Sequence, residues 1–555
     1  VYKRQNQYII GLFGIDPLVT HKDGGRQVRP LEIIAKSLRD AEPGIGPDGK
    51  HRFLAKLISH LPTNATLTPV ELERYDANLV TYTRTINARR KHKTEITWKY
   101  FQWLTLLFVE VYLDRYFNDR QGLCAALNES IERFNQHHQG QGRETGIGPY
   151  AVEDLNKICL QNATGSGKTL LMHMNLLQFA QHARATGQAD AFSRVIVLSP
   201  NERLSEQHER ELRENGFYPE PLRQESDLIS RGQNALDVPL LTEITKLADE
   251  QKVKQMAVDS FGDGNLLLVD EGHRGMSGRD WKNKRDKLAA KGFTFEYSAT
   301  FKQAVKAAND RVLAESYAKA VLFDYSYRYF YADGYGKDYR IFNLPRDEVA
   351  HKDTYLTAAL LGFYQQLRMF TEAGNRFAGY NLDKPLWVFV GASVTSRKVD
   401  EESVSPSDVA QILDFIARFL IHREAFTTLI HGVLTGNSQH TGLVDAQGHD
   451  IFVQSFPYLK GLKQSAAQFY SDICQRLFHA PGGGHLVVER VKGDSGELLL
   501  KVGESDEPFG VINVGDAAAL AKHVQDELEA KHSLAEVRPS EFGEPVFGDV
   551  HKPTS

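Results

Sequence analysis

The sequence predicts an α/β protein: a parallel sheet with crossover helices, a mostly helical region ahead of it and a second, shorter α/β unit behind it. Three observations predict this. Short apolar runs alternate with helical stretches between about residues 146 and 325, the pattern of strands joined by crossover helices. The first of these runs leads into a glycine-rich loop that opens an apolar helix. A further apolar run, Leu386-Trp387-Val388-Phe389-Val390, begins after a connecting stretch. At roughly 150 residues per domain, a chain of 555 residues suits about three or four such units.

Composition bounds the reading. Hydrophobic residues make up 41% and charged residues 25%, the ordinary range of globular chains, which excludes a disordered, collagen-like or fibrous protein. Lys and Arg number 66 against 71 Asp and Glu, for a net charge of −5. A uniformly basic coat is excluded, but a local basic groove is not. Cys124, Cys159 and Cys474 are far apart, with neither a disulfide framework nor zinc spacing, and suit a reducing, cytoplasmic setting. The most apolar stretch, residues 100–113, is interrupted by Gln102 and Glu110 and falls short of the about 20 residues a membrane span needs. It reads as a buried, aromatic-rich helix.

In chain order, residues 1–145 form the helical region, with helices at 31–38, 52–61, 96–117 and 123–137. The loop at 40–49 is rich in Gly, Pro and Asp, and the polar, glycine-rich stretch 138–146 is the boundary. Residues 146–325 form the first lobe, with strands at 157–161, 194–198, 266–269 and 294–297 and helices at 169–183 and 203–215. Residues 326–383 are a connector that follows an aromatic cluster at 325–331 and holds a helix at 355–373. From residue 384 to 555 a second sheet is expected, opening with a strand at 386–390 and a helix at 407–421. A hairpin of 485–491 and 497–502 is inserted, and a strand lies at 510–516.

The strongest chemical signal is Ala163-Thr164-Gly165-Ser166-Gly167-Lys168-Thr169, between strand and helix. Gly165 and Gly167 let backbone N–H groups turn inward around phosphate oxygens, and the helix start adds its positive end. Lys168 would reach the β- and γ-phosphates of ATP, and the Thr169 hydroxyl would hold Mg²⁺. The strict pattern has a glycine six residues before the lysine, where this chain has Asn162. The alternative reading is a plain glycine turn with an exposed lysine. Further on, an apolar strand ends in Asp270-Glu271-Gly272-His273. Two acids at a strand end sit on the carboxyl edge of the sheet, where nucleotides bind in open α/β folds. Asp270 would hold Mg²⁺ and Glu271 would orient or deprotonate the attacking water.

With Ser298-Ala299-Thr300 added, the order A-T-G-S-G-K-T, D-E-G-H, S-A-T resembles motifs I, II and III of superfamily 2 DEAD/DEAH-box helicases and translocases. Glu271-Gly272-His273-Arg274-Gly275, the run from Gly292 to Phe301 and Asp333-Gly334-Tyr335-Gly336-Lys337-Asp338-Tyr339 are similar to one branch of these. That branch is the restriction (Res) subunit of type III restriction–modification enzymes. The specific motifs span residues 157–340. The resemblance implies a RecA-like P-loop NTPase lobe that hydrolyses ATP with Mg²⁺ and moves on DNA. It assigns catalysis to Lys168, Asp270, Glu271 and His273, coupling to Ser298, Ala299 and Thr300, and backbone contacts with nucleic acid to Pro200, Asn201 and Arg203. A second such contact, or an ordinary helix start, is read at residues 242–247. A modification methyltransferase subunit is implied as a partner.

The same resemblance implies a second RecA-like lobe with late motifs, among them an arginine-bearing Q-x-x-G-R-x-x-R. Neither this string nor the other late motif, a G-W-D or G-W-N, occurs after Lys384, so this lobe is expected to be incomplete and the polypeptide a fragment, the alternative being a degenerate lobe. No nuclease residues can be assigned. Basic clusters at residues 89–93 and at Lys282, Lys284, Arg285 and Lys287 are either phosphate contacts or solvated faces. Trp98, Tyr100, Phe101 and Trp103 are either core or base-stacking residues. Two other functions stay open: a P-loop ATPase that remodels proteins, and a module that binds ATP and DNA with little turnover.

Overall fold

A computed structural model of the chain describes residues 3–90, 94–142, 147–222, 236–248, 256–272, 279–336, 351–377, 382, 384–389, 397–400, 403–405, 408–445, 447–491, 496–505, 507–513, 517–529 and 533–539. The chain divides into two compact units, Val1–Asp338 and Tyr339–Ser555.

The first unit is built on a seven-stranded sheet: β1 Lys157–Asn162, β2 Arg194–Ser199, β3 Glu220–Pro221, β4 Pro239–Glu243, β5 Asn265–Val269, β6 Phe293–Ser298 and β7 Val321–Tyr325. Their order across the sheet is β7-β1-β6-β5-β2-β4-β3, and every pairing is parallel. Six strands are buried along nearly their whole length, and only the two-residue edge strand β3 is not. Burial on both faces explains why they read as continuous apolar runs rather than as alternating patterns. Helices sit on the faces, so the unit is a RecA-like α/β lobe in which one strand, β6, separates the loop-bearing β1 from the acid-bearing β5.

Three strands depart from the sequence reading. β7 follows a helix without a turn residue, β3 has two residues, and β4 runs through Thr242 and Glu243, both buried. The expected contact stretch at 242–247 is therefore strand first and then one short turn, Ile244–Lys246.

Among the described residues six helices precede the sheet: α1 Arg4–Leu12, α2 Pro30–Arg39, α3 Arg52–Ser59, α4 Pro69–Arg89, α5 Tyr100–Asn118 and α6 Arg120–Gln139. The start of α4 shows why it begins where it does. Pro69 occupies the first helical position, while the Thr68 hydroxyl accepts from the Glu71 N–H and the Glu71 carboxylate accepts from the Thr68 N–H. Helix α5 is buried on nearly all sides, and Trp98, Tyr100, Phe101 and Trp103 belong to the core. One continuous apolar cluster joins residues of α1 to α6 with residues of the sheet. Two buried carboxylates fix this packing. Glu110 of α5 accepts from Asn78 Nδ2 (2.7 Å), Gln178 Nε2 (2.7 Å) and His182 Nε2 (3.1 Å). Asp76 of α4 accepts from Trp103 Nε1 (2.8 Å) and from the His51 backbone N–H (2.9 Å).

The second unit has its own core around helices Lys352–Glu372, Asp408–Ile421, Arg423–Thr435 and Ala466–Phe478. The inserted hairpin is present, with Leu486–Arg490 antiparallel to Glu497–Val502. Gly510–Asn513 pairs antiparallel with the second hairpin strand and Ala535–Pro539 pairs parallel with the first, giving a mixed four-stranded sheet. Over its described residues the strand expected to open this unit is not formed: 384–389 have no regular structure and Leu386 is 81% exposed, while Val390 lies outside the described residues. Apolar composition alone does not make a strand where no sheet edge receives it.

Candidate active site

Three neighbouring strands deliver the motif residues to one edge. β1 ends at Asn162 and runs into Ala163–Gly167, β5 ends at Val269 before Asp270 and Glu271, and β6, between them, ends at Ser298. All three strands are parallel, so these are carboxyl ends.

The loop turns twice through left-handed backbone, at Gly165 (φ 82°) and Gly167 (φ 90°), where other residues are strained. Helix α7, Lys168–Ala185, starts directly after it. The loop is tied at both ends. The Ala163 N–H donates to the Tyr325 carbonyl (2.9 Å), and the Ser166 hydroxyl donates to the Ala163 carbonyl (2.6 Å). From the helical region, Gln102 Nε2 donates to the Ser166 carbonyl (2.9 Å), while Gln102 Oε1 accepts from the Lys99 N–H (2.9 Å). A Cβ at Gly167 would lie 2.6 Å from Gln102 Nε2, so a side chain here would displace that brace in addition to straining φ. Thr164 and Thr169 lie in the loop and the first turn of α7.

Lys168 Nζ lies 3.9 Å from Glu271 Oε1. Glu271 itself has φ 49°, a left-handed conformation unusual for any residue but glycine, directly after β5 and Asp270. Its N–H donates to Asp270 Oδ1 (2.9 Å), and the Gly272 N–H donates to the Tyr297 carbonyl (2.9 Å). The acidic turn is thereby bonded to the strand that carries Ser298. Ser298 is fully buried and its hydroxyl accepts from the Thr300 N–H (3.0 Å), with Ala299 between them. His273 lies outside the described residues.

Asp270 has a second holder that the sequence did not reveal. Helix α8, Glu202–Glu214, follows β2 and places His208 Nε2 3.0 Å from Asp270 Oδ2. Burial pushes the Asp270 carboxyl up, but the bond and charge of His208, the Glu271 N–H and the Lys168 ammonium together hold it below the usual carboxylate range. Behind His208 lies His173 of α7, whose Nδ1 accepts from Asn215 Nδ2 (2.8 Å), and Asn215 Oδ1 accepts from Arg90 (2.6 Å). Burial, then His208 and Arg90, push the His173 imidazole down to about 3. A histidine six residues into a helix carries no motif signal, and Gln102 stands 64 residues before the carbonyl it holds. Both belong to the site by folding alone.

Beneath the acidic turn, Glu296 of β6 is buried against Lys157 (2.7 Å), Arg285 (3.5 Å) and the Tyr317 hydroxyl (2.5 Å). Burial raises its carboxyl, and Lys157 and Arg285 bring it below the normal range. Arg285 also donates to the Gly272 carbonyl (2.9 Å) and is itself buried. It is therefore a buttress of the acidic turn and not a member of a phosphate-facing cluster. Of the three residues read as nucleic-acid contacts, Pro200 is buried, Asn201 caps α8 by accepting from the Leu204 N–H (3.0 Å), and Arg203 is exposed. In the basic run at 89–93, Arg90 is committed to Asn215, and residues 91–93 lie outside the described residues.

Among the described residues no three His, Cys, Asp or Glu side chains form a metal-holding group. The arrangement fits a Mg²⁺ ion bound through few protein ligands, with water and phosphate completing the shell. Among the described residues no helix is long and apolar enough to cross a membrane.

Residues 120–303 match the family model described as "Type III restriction enzyme, res subunit". No curated protein matches the chain at a significant level. Among solved structures, the Sulfolobus solfataricus SWI2/SNF2 ATPase core in complex with dsDNA is similar at 10% identity over 71% of this chain and 76% of that chain. Its TM-score is 0.22, too low to bear on how the chain is arranged. Over residues 120–303 the first unit thus resembles a type III restriction Res subunit.

Proposed function

We propose, from that resemblance and from the edge geometry, that the protein is an ATP-hydrolysing motor that acts on DNA in the manner of a type III restriction subunit. The observation that carries this reading is the convergence on one sheet edge of the phosphate loop, the Asp270–Glu271 pair and the Ser298–Thr300 turn. The backbone N–H groups of Thr164, Gly165, Gly167, Lys168 and Thr169, at the loop and the start of α7, bind the phosphates, and Lys168 neutralises the β- and γ-phosphate oxygens. Thr169 and Asp270 would hold Mg²⁺, which supplies charge neutralisation at the phosphates when bound. Glu271, on its left-handed turn and near Lys168, orients the attacking water and accepts its proton. The Gly272–Tyr297 backbone bond carries any displacement of the acidic turn to β6 and hence to Ser298, Ala299 and Thr300. Arg203, at the exposed start of α8, is the one of the three proposed contact residues with its side chain available to a DNA phosphate.

The test is ATP turnover measured with and without duplex and single-stranded DNA, in the full chain and in Lys168→Ala. Turnover stimulated by DNA and lost by at least about 100-fold in the variant supports the motor. Turnover indifferent to DNA turns the reading toward a protein-remodelling ATPase. Undiminished turnover in Lys168→Ala overturns the site.

A further inference from the structure

A cluster of aromatic rings on the first unit, to which no role has been assigned above, lies beside the phosphate loop. The short helix Tyr327–Ala332 follows β7, and a Cβ built on Gly165 would lie 3.7 Å from Phe330 Cζ. The chain then turns back so that the N–H groups of Tyr335 (3.0 Å) and Gly336 (3.2 Å) both donate to the Phe330 carbonyl. The turn brings the two rings to 5.5 Å between centroids, with Tyr335 also 5.6 Å from Phe101 and beneath Lys99 Nζ at 5.8 Å. Phe101 is core, stacked on Tyr325 at 4.0 Å, and Phe330 is half-buried, but Tyr335 is 41% exposed.

The turn is held in place by a buried charge. Asp333 accepts from the Tyr325 hydroxyl (2.6 Å) and from the Tyr100 hydroxyl, and it pairs with Arg39 Nε at 2.8 Å. Three groups from two helices and one strand therefore fix a six-residue helix and its return turn beside the loop. A preorganised aromatic surface next to a phosphate-binding loop has one fitting occupant, the ring that the bound phosphates carry with them. Ring faces take a nucleobase by stacking, whichever base it is. Gln102 has its oxygen bonded to the Lys99 N–H and its nitrogen to the Ser166 carbonyl. It braces the loop, and the aromatic faces are left to grip the base.

We propose that Phe330 and Tyr335 form the stacking platform for the base of the nucleoside triphosphate whose phosphates occupy the Gly165–Thr169 loop. The inference rests on the ATP-site reading, and the experiment separates the two. Binding of ATP and of inorganic tripolyphosphate is measured in the full chain, in Phe330→Ala and Tyr335→Ala, and in the aromatic exchanges Phe330→Tyr and Tyr335→Phe. The alanine variants are expected to weaken ATP by about 5- to 150-fold, the range of a lost base–aromatic stack. Tripolyphosphate, which has no base, should stay within about twofold, and the aromatic exchanges should restore most of the ATP affinity. An ATP affinity unchanged in both alanine variants overturns the platform and leaves the phosphate loop standing. An equal loss for ATP and tripolyphosphate overturns it too, because the rings then only support the loop. Failure of the unaltered chain to bind either ligand overturns both readings.

Discussion

Replacing His208 by alanine removes a side chain that hydrogen-bonds the Asp270 carboxylate from outside its own turn. Asp270 Oδ1 is held by the Glu271 N–H at 2.9 Å, and Oδ2 by His208 Nε2 at 3.0 Å. Without the imidazole, Oδ2 loses its directed donor and the carboxylate can rotate about the remaining bond. A hydrogen bond to a charged group is worth about 1.5–3 kcal/mol, and groups that orient a metal ligand change metal affinity by about 10- to 100-fold. At about 1.4 kcal/mol per tenfold these two figures agree. The Mg²⁺ concentration for half-maximal ATP turnover should therefore rise about 10- to 100-fold in His208→Ala. His208→Gln, which can still offer an N–H, should fall in between. The assay is ATPase at fixed ATP over a Mg²⁺ series, with thermal unfolding confirming that each variant is folded. A folded His208→Ala protein whose half-maximal Mg²⁺ shifts by less than about threefold would show that Asp270 needs no second holder, and the reasoning fails.

Two further predictions concern stability. His173 has its proton affinity lowered to about 3 by burial, then by His208 and Arg90, so the folded protein keeps it neutral while the unfolded chain protonates it below about 6.5. Its contribution is complete above that value and declines as pH falls, by about 1.4 kcal/mol per pH unit in the window above 3. Asp270 and Glu296, with depressed carboxyls, lose their contribution in the same direction but only as pH falls below the ordinary carboxylate range. Urea midpoints at pH 7.5, 6.5 and 5.5 should therefore fall more steeply in the unaltered protein than in His173→Gln; parallel slopes refute it. Glu110→Ala removes the acceptor shared by Asn78, Gln178 and His182 and should cost about 3 kcal/mol or more. Denaturant unfolding reads this directly, and a loss below about 1 kcal/mol would show that water replaces the carboxylate.

The parts of the site that were legible in the sequence are those whose chemistry is local. The Ala163–Thr169 loop and the Asp270–Glu271 pair each carry their function within a few residues, at the end of a strand. Gln102 and His208 were illegible because each acts on a residue far along the chain, and nothing in their own neighbourhoods marks them. Arg285 was misread for the opposite reason. Its basic neighbours suggested a surface cluster, yet Glu296, an acid inside a strand buried on both faces, required cations to be delivered to it. The strand expected at 386–390 failed because apolarity says only that a segment is to be buried, and a strand also needs a neighbour with free backbone groups.

The brace from Gln102 to the Ser166 carbonyl, together with the shared apolar cluster, bears on where the chain can be cut as well as on how it packs. The phosphate loop, the acidic pair and the Ser298–Thr300 turn all lie between Lys157 and Thr300, but the apolar cluster that supports them begins far ahead of that span. Any recombination or excision that took the motifs alone would carry off the phosphate loop and leave behind the helix that shapes it. The boundary of a self-sufficient ATP site on this chain therefore lies ahead of α5 and not at Lys157.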